Sequence, residues 1–229
     1  MHSFARHQHS KSDSAPANET KGLVVEGGWR YDLHGWLSDV FLFRGRLRAL
    51  RRRVIALARV QSGDQVLDVG CGTGTLALET QRRVGGGGRT AGIDPSAEQI
   101  GRARAKAARR HARVEFQIGV IERLPFPDQA FDVVLSTLMM HHLPDPLKRQ
   151  GLAEIARVLT HGGRLVIADF APKKERQGRA ARFHAGGSGL HHLAALVKEA
   201  GFEDPNVEEM RPPRFSAFPA VGFVSALRS

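Results

Sequence analysis

The sequence predicts an α/β fold: a largely parallel sheet with helices on both faces, preceded by a helical N-terminal segment. Two observations predict it. From residue 65 onward short apolar runs alternate with helical patterns, which is the signature of strands joined by crossover helices. The chain of 229 residues and 25.1 kDa is also long enough for one domain with a buried core and a tail, but not for two full-sized domains.

Residues 1–22 are polar and almost free of aliphatic side chains, so they bury too little to offset ordering entropy, and a disordered tail is expected. Between Leu33 and Val60 the apolar residues Leu33, Leu37, Val40, Phe41, Leu47, Leu50, Val54 and Leu57 recur at spacings of three and four, which predicts amphipathic helix broken near Gly45. The alternation then runs Gln65 to Val69 (strand), Thr75 to Arg83 (helix), Thr90 to Ile93 (strand), Ala97 to Arg109 (helix), Val114 to Ile118 and Phe131 to Ser136 (strands). It continues with Pro146 to Leu159 (helix), Arg164 to Asp169 (strand) and Gly189 to Ala200 (helix). Asn206 to Met210 and Ala220 to Leu227 have no helix between them and are expected to pair antiparallel.

Composition excludes several classes. Hydrophobic residues make up 41% and no apolar stretch reaches the roughly 20 residues of a membrane-spanning helix. A single cysteine, Cys71, rules out an internal disulfide framework and a multi-cysteine zinc site, and a reducing cytoplasmic setting is expected, with no metal. The formal charge of +11 favours anionic partners without naming one.

The most informative segment is Val66-Leu67-Asp68-Val69-Gly70-Cys71-Gly72-Thr73-Gly74, an apolar strand running into glycines at alternate positions and then a helix. Such a loop lets backbone approach a ligand closely, and the amides of the following helix favour an anionic group. A nicotinamide-dinucleotide fingerprint needs a third glycine at the position occupied by Thr75. Asp94, twenty residues past Gly74 at the end of the second strand, can accept hydrogen bonds from both hydroxyls of a ribose. Together they indicate a ligand with a ribose and a terminal anion; the bland alternative is a tight turn and a helix cap.

These residues resemble the class I S-adenosylmethionine-dependent methyltransferases, in particular the small-molecule group of ubiquinone and menaquinone biosynthesis. Four ordered segments carry the resemblance: VLDVGCGTG at 66–74, GIDPS at 92–96, LPFPDQAFDVVLSTLMMHHLPD at 124–145 and EIARVLTHGGRLVIADF at 154–170. It implies a Rossmann-like seven-stranded sheet of order 3-2-1-4-5-7-6 with the last strand antiparallel, and S-adenosyl-L-methionine as cofactor with S-adenosyl-L-homocysteine as product. Carried over by position, Gly70, Gly72 and Gly74 face the methionine part, Asp94 the ribose, and Thr137 and His142 the region near the sulfonium. Asp68, Cys71, Pro95 and Gln99 complete the implied cofactor-binding set, with Cys71 most simply a small filler between glycines.

The chain departs from the family pattern at Gly119-Val120-Ile121, where an acid usually precedes the adenine-facing residue. Val120 and Ile121 are therefore expected to hold adenine by apolar contact and backbone amide, with Glu122 a substitute only if the loop turns differently. His161 replaces a common proline and reads as neutral. Tyr31-Asp32 resembles the pair that starts this family's N-terminal lid, so residues 23–62 are expected to form a helical lid with Tyr31 over the methionine end, ahead of a methyltransferase domain at 63–229.

His141, after the fourth strand, is a candidate general base as well as a candidate pocket wall. Arg44 to Arg53 and Arg102 to Arg110 form basic clusters that read as solvated faces, with weak contact to an anionic membrane surface as the other reading. The expected function is methyl transfer by in-line displacement to a small aromatic or lipophilic acceptor. Nucleic-acid methylation is disfavoured, because the fourth strand ends in Ser136-Thr137-Leu138-Met139 and not the Asn/Asp-Pro-Pro-aromatic loop that grips an extruded base. An intact glycine loop and Asp94 also disfavour a non-catalytic cofactor-binding subunit.

Overall fold

A computed structural model describes residues 45–171, 189–210 and 220–229 of the chain. The proposed tail, the first part of the lid with Tyr31, and most of the segment between the fifth strand and the last helix lie outside the described residues. The first described helix, α1 (Arg46–Leu57), starts just after Gly45, whose left-handed φ of 75° sets the break expected there. There follow β1 (Gln65–Val69), α2 (Thr75–Val84), β2 (Arg89–Asp94), α3 (Ala97–Arg109), β3 (Val114–Ile118) and β4 (Phe131–Thr137). A 3₁₀ turn at Met140–His142 leads to α4 (Asp145–Val158), β5 (Leu159–Phe170), α5 (Leu190–Glu199), β6 (Phe202–Met210) and β7 (Val221–Arg228).

The seven strands form one sheet in the order β3-β2-β1-β4-β5-β7-β6. β1 to β5 pair in parallel, whereas β7 pairs antiparallel with both β5 and β6. The strands β1, β2, β4, β5 and β7 are largely buried on both faces, and alternate residues go to opposite layers. Val66, Val133, Leu135, Val166 and Ala168 pack under α1 and α2 with Leu50, Val54 and Leu76. Leu67, Val134, Leu165 and Ile167 pack on the other face under α4 and α5 with Leu152, Ile155, Leu193 and Leu196. α2 also meets α3 through Ala77, Leu78, Ile100 and Ala103, so α1, α2 and α3 form one helix layer.

Two strands differ from the sequence reading. β5 begins at Leu159, which is fully buried and pairs with Phe131; pairing resumes at Arg164 opposite Val133, so Thr160 to Gly163 bulge out of register. β6 begins at Phe202, ahead of the expected Asn206, because a register shift between Glu203 and Asn206 absorbs Asp204 and Pro205 and lets buried Phe202 join the sheet. Both irregularities hide a strand start from a period-two pattern. Among the described residues no helix is long and apolar enough to cross a membrane.

α1 falls within the segment expected to form a lid, yet Leu50 and Val54 are in the core. Truncating Leu50 to Ala is expected to cost about 2–4 kcal/mol of stability, by lost burial and the cavity left behind. Urea denaturation measures it, and a loss below about 1 kcal/mol would mean that α1 is only loosely attached.

Candidate functional site

Parallel strands bring the C-terminal ends of β1, β2 and β4 side by side, and the site is built on those ends. At the end of β1 the chain turns through Gly70, Gly72 and Gly74, all at positive φ. The amides of Gly70 and Cys71 both donate to the Ile93 carbonyl of β2 at 2.9 Å, which pins the loop to the neighbouring strand. A Cβ on Gly74 would overlap the Phe116 ring and approach Ala103 to 3.0 Å, so this glycine permits close packing of α2 on α3 and β3. A Cβ on Gly72 would meet nothing within 4 Å, so here the absent side chain leaves open space. From α3, Lys106 Nζ donates to the Thr73 carbonyl (2.8 Å) and to the hydroxyls of Thr73 (2.7 Å) and Thr75 (3.0 Å), holding the junction of loop and helix.

Two carboxylates sit at this junction. Asp94 Oδ2 accepts from the Gly72 amide (2.9 Å) and Oδ1 from the Ser96 amide (3.0 Å), so its orientation is fixed while each oxygen keeps a lone pair. Burial pushes its carboxyl up, and those two amides pull it part of the way back. Asp68 is 1% exposed, and neither oxygen has a hydrogen bond of ordinary geometry. Burial therefore raises its carboxyl to about 7, partly offset by the Ala77 amide and reinforced by the Asp94 charge.

Beside the loop lies a cleft enclosing about 420 Å³ out to its open mouth, lined by Gly70, Pro95, Val120, Ile121, Met139 and His142 among others. Its wall is mainly apolar. Leu138, at the left-handed φ of 53°, turns the chain sharply off β4 and sends Met139 to His142 back over the strand ends. A bulky residue held in that region marks a backbone constrained by its surroundings; here the Leu138 amide is tied to the Ala168 carbonyl of β5 at 2.8 Å.

That turn delivers His141 to Asp169 at the end of β5. His141 Nδ1 lies 2.7 Å from Asp169 Oδ1, and the His141 amide donates to Oδ2 at 2.9 Å. A carboxylate only accepts, so Nδ1 carries the hydrogen, and in the neutral ring Nε2 holds the lone pair. The Phe170 amide also donates to Asp169 Oδ1 (2.7 Å), and Asp169 is 4% exposed, so the carboxylate is rigid. The His141 ring lies 3.9 Å from that of His142 and 4.8 Å from that of Phe170, centroid to centroid. Burial and the neighbouring His141 hold the His142 imidazole below its ordinary range.

Of the residues picked out from sequence, Gly70, Pro95, Val120, Ile121 and His142 line the cleft, whereas Asp68, Gly72, Gly74, Asp94 and His141 are not among its lining residues, Gly72 and Asp94 being joined by their hydrogen bond. Cys71 turns its side chain into the cluster of Ala77, Ile100 and Phe116, and burial raises its thiol well above the usual range. Gln99 is buried in the first turn of α3 and Thr137 ends β4; neither is among the cleft-lining residues. Sequence reasoning missed Asp169 and assigned Lys106 to a solvated face. An acid closing the apolar run Leu165 to Ala168 was the available signal for Asp169. Among the described residues no group of three or more His, Cys, Asp or Glu comes together to hold a metal.

Residues 66–163 match a family model described as a methyltransferase domain. The chain is 30% identical over 197 residues to the 27-O-demethylrifamycin SV methyltransferase of Amycolatopsis mediterranei, covering 80% of this chain and 70% of that protein. It is 38% identical over 143 residues to a demethylmenaquinone methyltransferase of Deinococcus radiodurans, covering 62% of this chain but only 56% of that relative. A SAM-dependent methyltransferase of Aquifex aeolicus shares the fold, with a TM-score of 0.64 at 21% identity over 78% of this chain and 89% of that one. The chain belongs to the class I S-adenosylmethionine-dependent methyltransferases. Within that class it falls in the group that methylates small molecules, and its cofactor is S-adenosylmethionine.

The two glycines separate fold from site. Gly74→Ala is expected to destabilise the protein by about 2–4 kcal/mol, from overpacking against Phe116 and a left-handed φ. Gly72→Ala should cost only about 1 kcal/mol in denaturant while obstructing the open side of the loop.

Asp68 has a pH signature. An unfolded aspartate titrates near 3.8 and the folded Asp68 near 7, so between these values the folded state binds more protons and stability falls as pH rises. Asp68→Asn removes that loss, and should stabilise the cofactor-free protein at pH 8 by an amount on the order of a few kcal/mol, read as a higher melting temperature, while changing little at pH 4. Equal melting temperatures at pH 8 would show that Asp68 is not destabilising in the folded state.

Proposed function

We propose that the protein transfers the sulfonium methyl of S-adenosylmethionine in line to a hydroxyl of a small aromatic or lipophilic acceptor, with His141 as general base. The observation that carries this reading is the His141–Asp169 pair. An acceptor with a free lone pair needs no base, whereas a hydroxyl must lose its proton as the new bond forms.

The residues present fit the cofactor. Asp94 retains one lone pair on each oxygen for the two ribose hydroxyls, and the buried Asp68 carboxylate, short of partners, suits the methionine ammonium nearby. The space over Gly72 leaves room for the methionine chain. Val120, 8% exposed, and Ile121, 4% exposed, form an apolar slot for adenine, in place of an acidic contact from position 120. When bound, S-adenosylmethionine supplies a methyl on a positively charged sulfur, so the leaving group departs as a neutral thioether.

The chain's own task is alignment and proton removal. Asp169, fixed by three hydrogen bonds, holds Nδ1–H and aims Nε2 of a ring that is 30% exposed and so open to an acceptor. The hydroxyl proton passes to Nε2, and the resulting imidazolium is stabilised by the Asp169 carboxylate. Burial and the neighbouring His141 disfavour the charged form of His142.

Asp94→Ala is expected to weaken binding of both S-adenosylmethionine and S-adenosylhomocysteine by about 1.5–3 kcal/mol in calorimetry; unchanged affinity in a folded variant would refute the cofactor assignment. In a labelled-methyl assay on pooled small metabolites, with RNA as the comparison substrate, His141→Ala should lower turnover by about 10² or more while cofactor affinity stays the same. Full turnover in that variant at neutral pH would reduce His141 to a wall of the pocket.

A further inference from the structure

The segment that contains α1, α2 and α3 holds most of the chain's formal net charge. Residues 45–113 hold fifteen Lys and Arg against five Asp and Glu, a net +10 in a chain of formal charge +11. Among the described residues, four of the fifteen cations are met by ion pairs, Arg51 by Glu79, Arg53 by Glu208, Arg89 by Glu115 and Arg102 by Glu98. Asp68 is buried and Asp94 is held by backbone amides, while Asp64, Glu79 and Glu98 are paired with Arg164, Arg51 and Arg102. In the opposite layer the signs are mixed, with Asp145, Glu154 and Glu199 paired to Lys148, Arg157 and Arg149.

Two sequence clusters that looked independent thus lie on one surface. Arg48 and Arg52 are one turn apart on α1, Arg59 follows its end, and Arg109 and Arg110 close α3; all are exposed. The surroundings of these arginines are unusual: apart from Glu98, every exposed residue of α1 and α3 is Arg, Ala or Gly. With only short alanines and glycines between them, the long guanidinium side chains are the groups that reach furthest from these helices. No aromatic residue is exposed on these helices to stack on a base, as single-stranded nucleic acid requires. No long apolar side chain is exposed on them to insert into a bilayer interior either. An array of phosphate headgroups is level, anionic and needs neither.

We propose that the α1–α3 face is an electrostatic docking surface for an anionic phospholipid bilayer. Contact is made by headgroup pairing alone, so it is reversible and sensitive to salt. The proposal does not rest on the identity of the methyl acceptor.

The test is co-sedimentation of the full chain with vesicles of mixed phosphatidylglycerol and phosphatidylcholine, and with vesicles of phosphatidylcholine alone, at about 0.1 M salt, where the screening length is about 10 Å. Binding to the anionic vesicles only, lost at about 0.5 M salt, is expected. A variant carrying Arg48→Ser, Arg52→Ser, Arg109→Ser and Arg110→Ser should partition at least about tenfold less. The corresponding four Arg→Lys changes should preserve binding, and an unchanged thermal shift with S-adenosylhomocysteine certifies the fold of both variants. Absence of binding to anionic vesicles, equal binding to neutral ones, or undiminished binding by the folded Ser variant would overturn the proposal. Release from vesicles by RNA at equal phosphate concentration would overturn it too, and would assign the face to nucleic acid.

Discussion

The hydrogen bond from the Gly72 amide to Asp94 joins two parallel strands at the point where each leaves the sheet, and the site depends on it. It is possible only because β1 and β2 pair in a register that sets Val69 beside Ile93, so that the glycine loop and Asp94 emerge together. The Ile93 carbonyl takes two further amides of the loop, and Lys106 holds its far side. Backbone that would otherwise sample many conformations is tied at three places, which lowers the entropy lost when a ligand is gripped. The cost falls on Asp68, enclosed behind the loop with too few donors around it.

The glycine loop and Asp94 were legible because strand, turn and helix signals there are local and agree with one another. The alternation of elements was legible for the same reason, and it placed every strand of the parallel half of the sheet. Asp169 was not, because its meaning arises from His141, 28 residues away in sequence, and only the pairing of β4 with β5 brings the two together. Lys106 was misread for a similar reason: its partners on Thr73 and Thr75 lie more than 30 residues earlier. In a helix rich in Arg and Ala, nothing local distinguishes a lysine that points at a loop from one that points at water. The starts of β5 and β6 were lost where bulges break the period of two.

Left-handed Leu138 shows a different limit. Sequence preference places glycine or asparagine in that conformation, and a leucine gives no warning of it. The turn is imposed by its surroundings, namely the bond to Ala168 and the burial of Met140, which is 1% exposed. Propensity gives way here to tertiary packing, at the place where the histidines are presented.

Among the described residues β6 closes one side of the sheet and has a neighbour only in β7. An outermost strand offers unpaired backbone groups that another molecule can adopt as a template. This one carries Glu203, Asp204, Glu208 and Glu209, includes Pro205, which lacks an amide hydrogen, and bends at the register shift between Glu203 and Asn206. Edge-to-edge addition of a second copy therefore meets a bent strand with a missing donor, and this border is a poor template for extending the sheet.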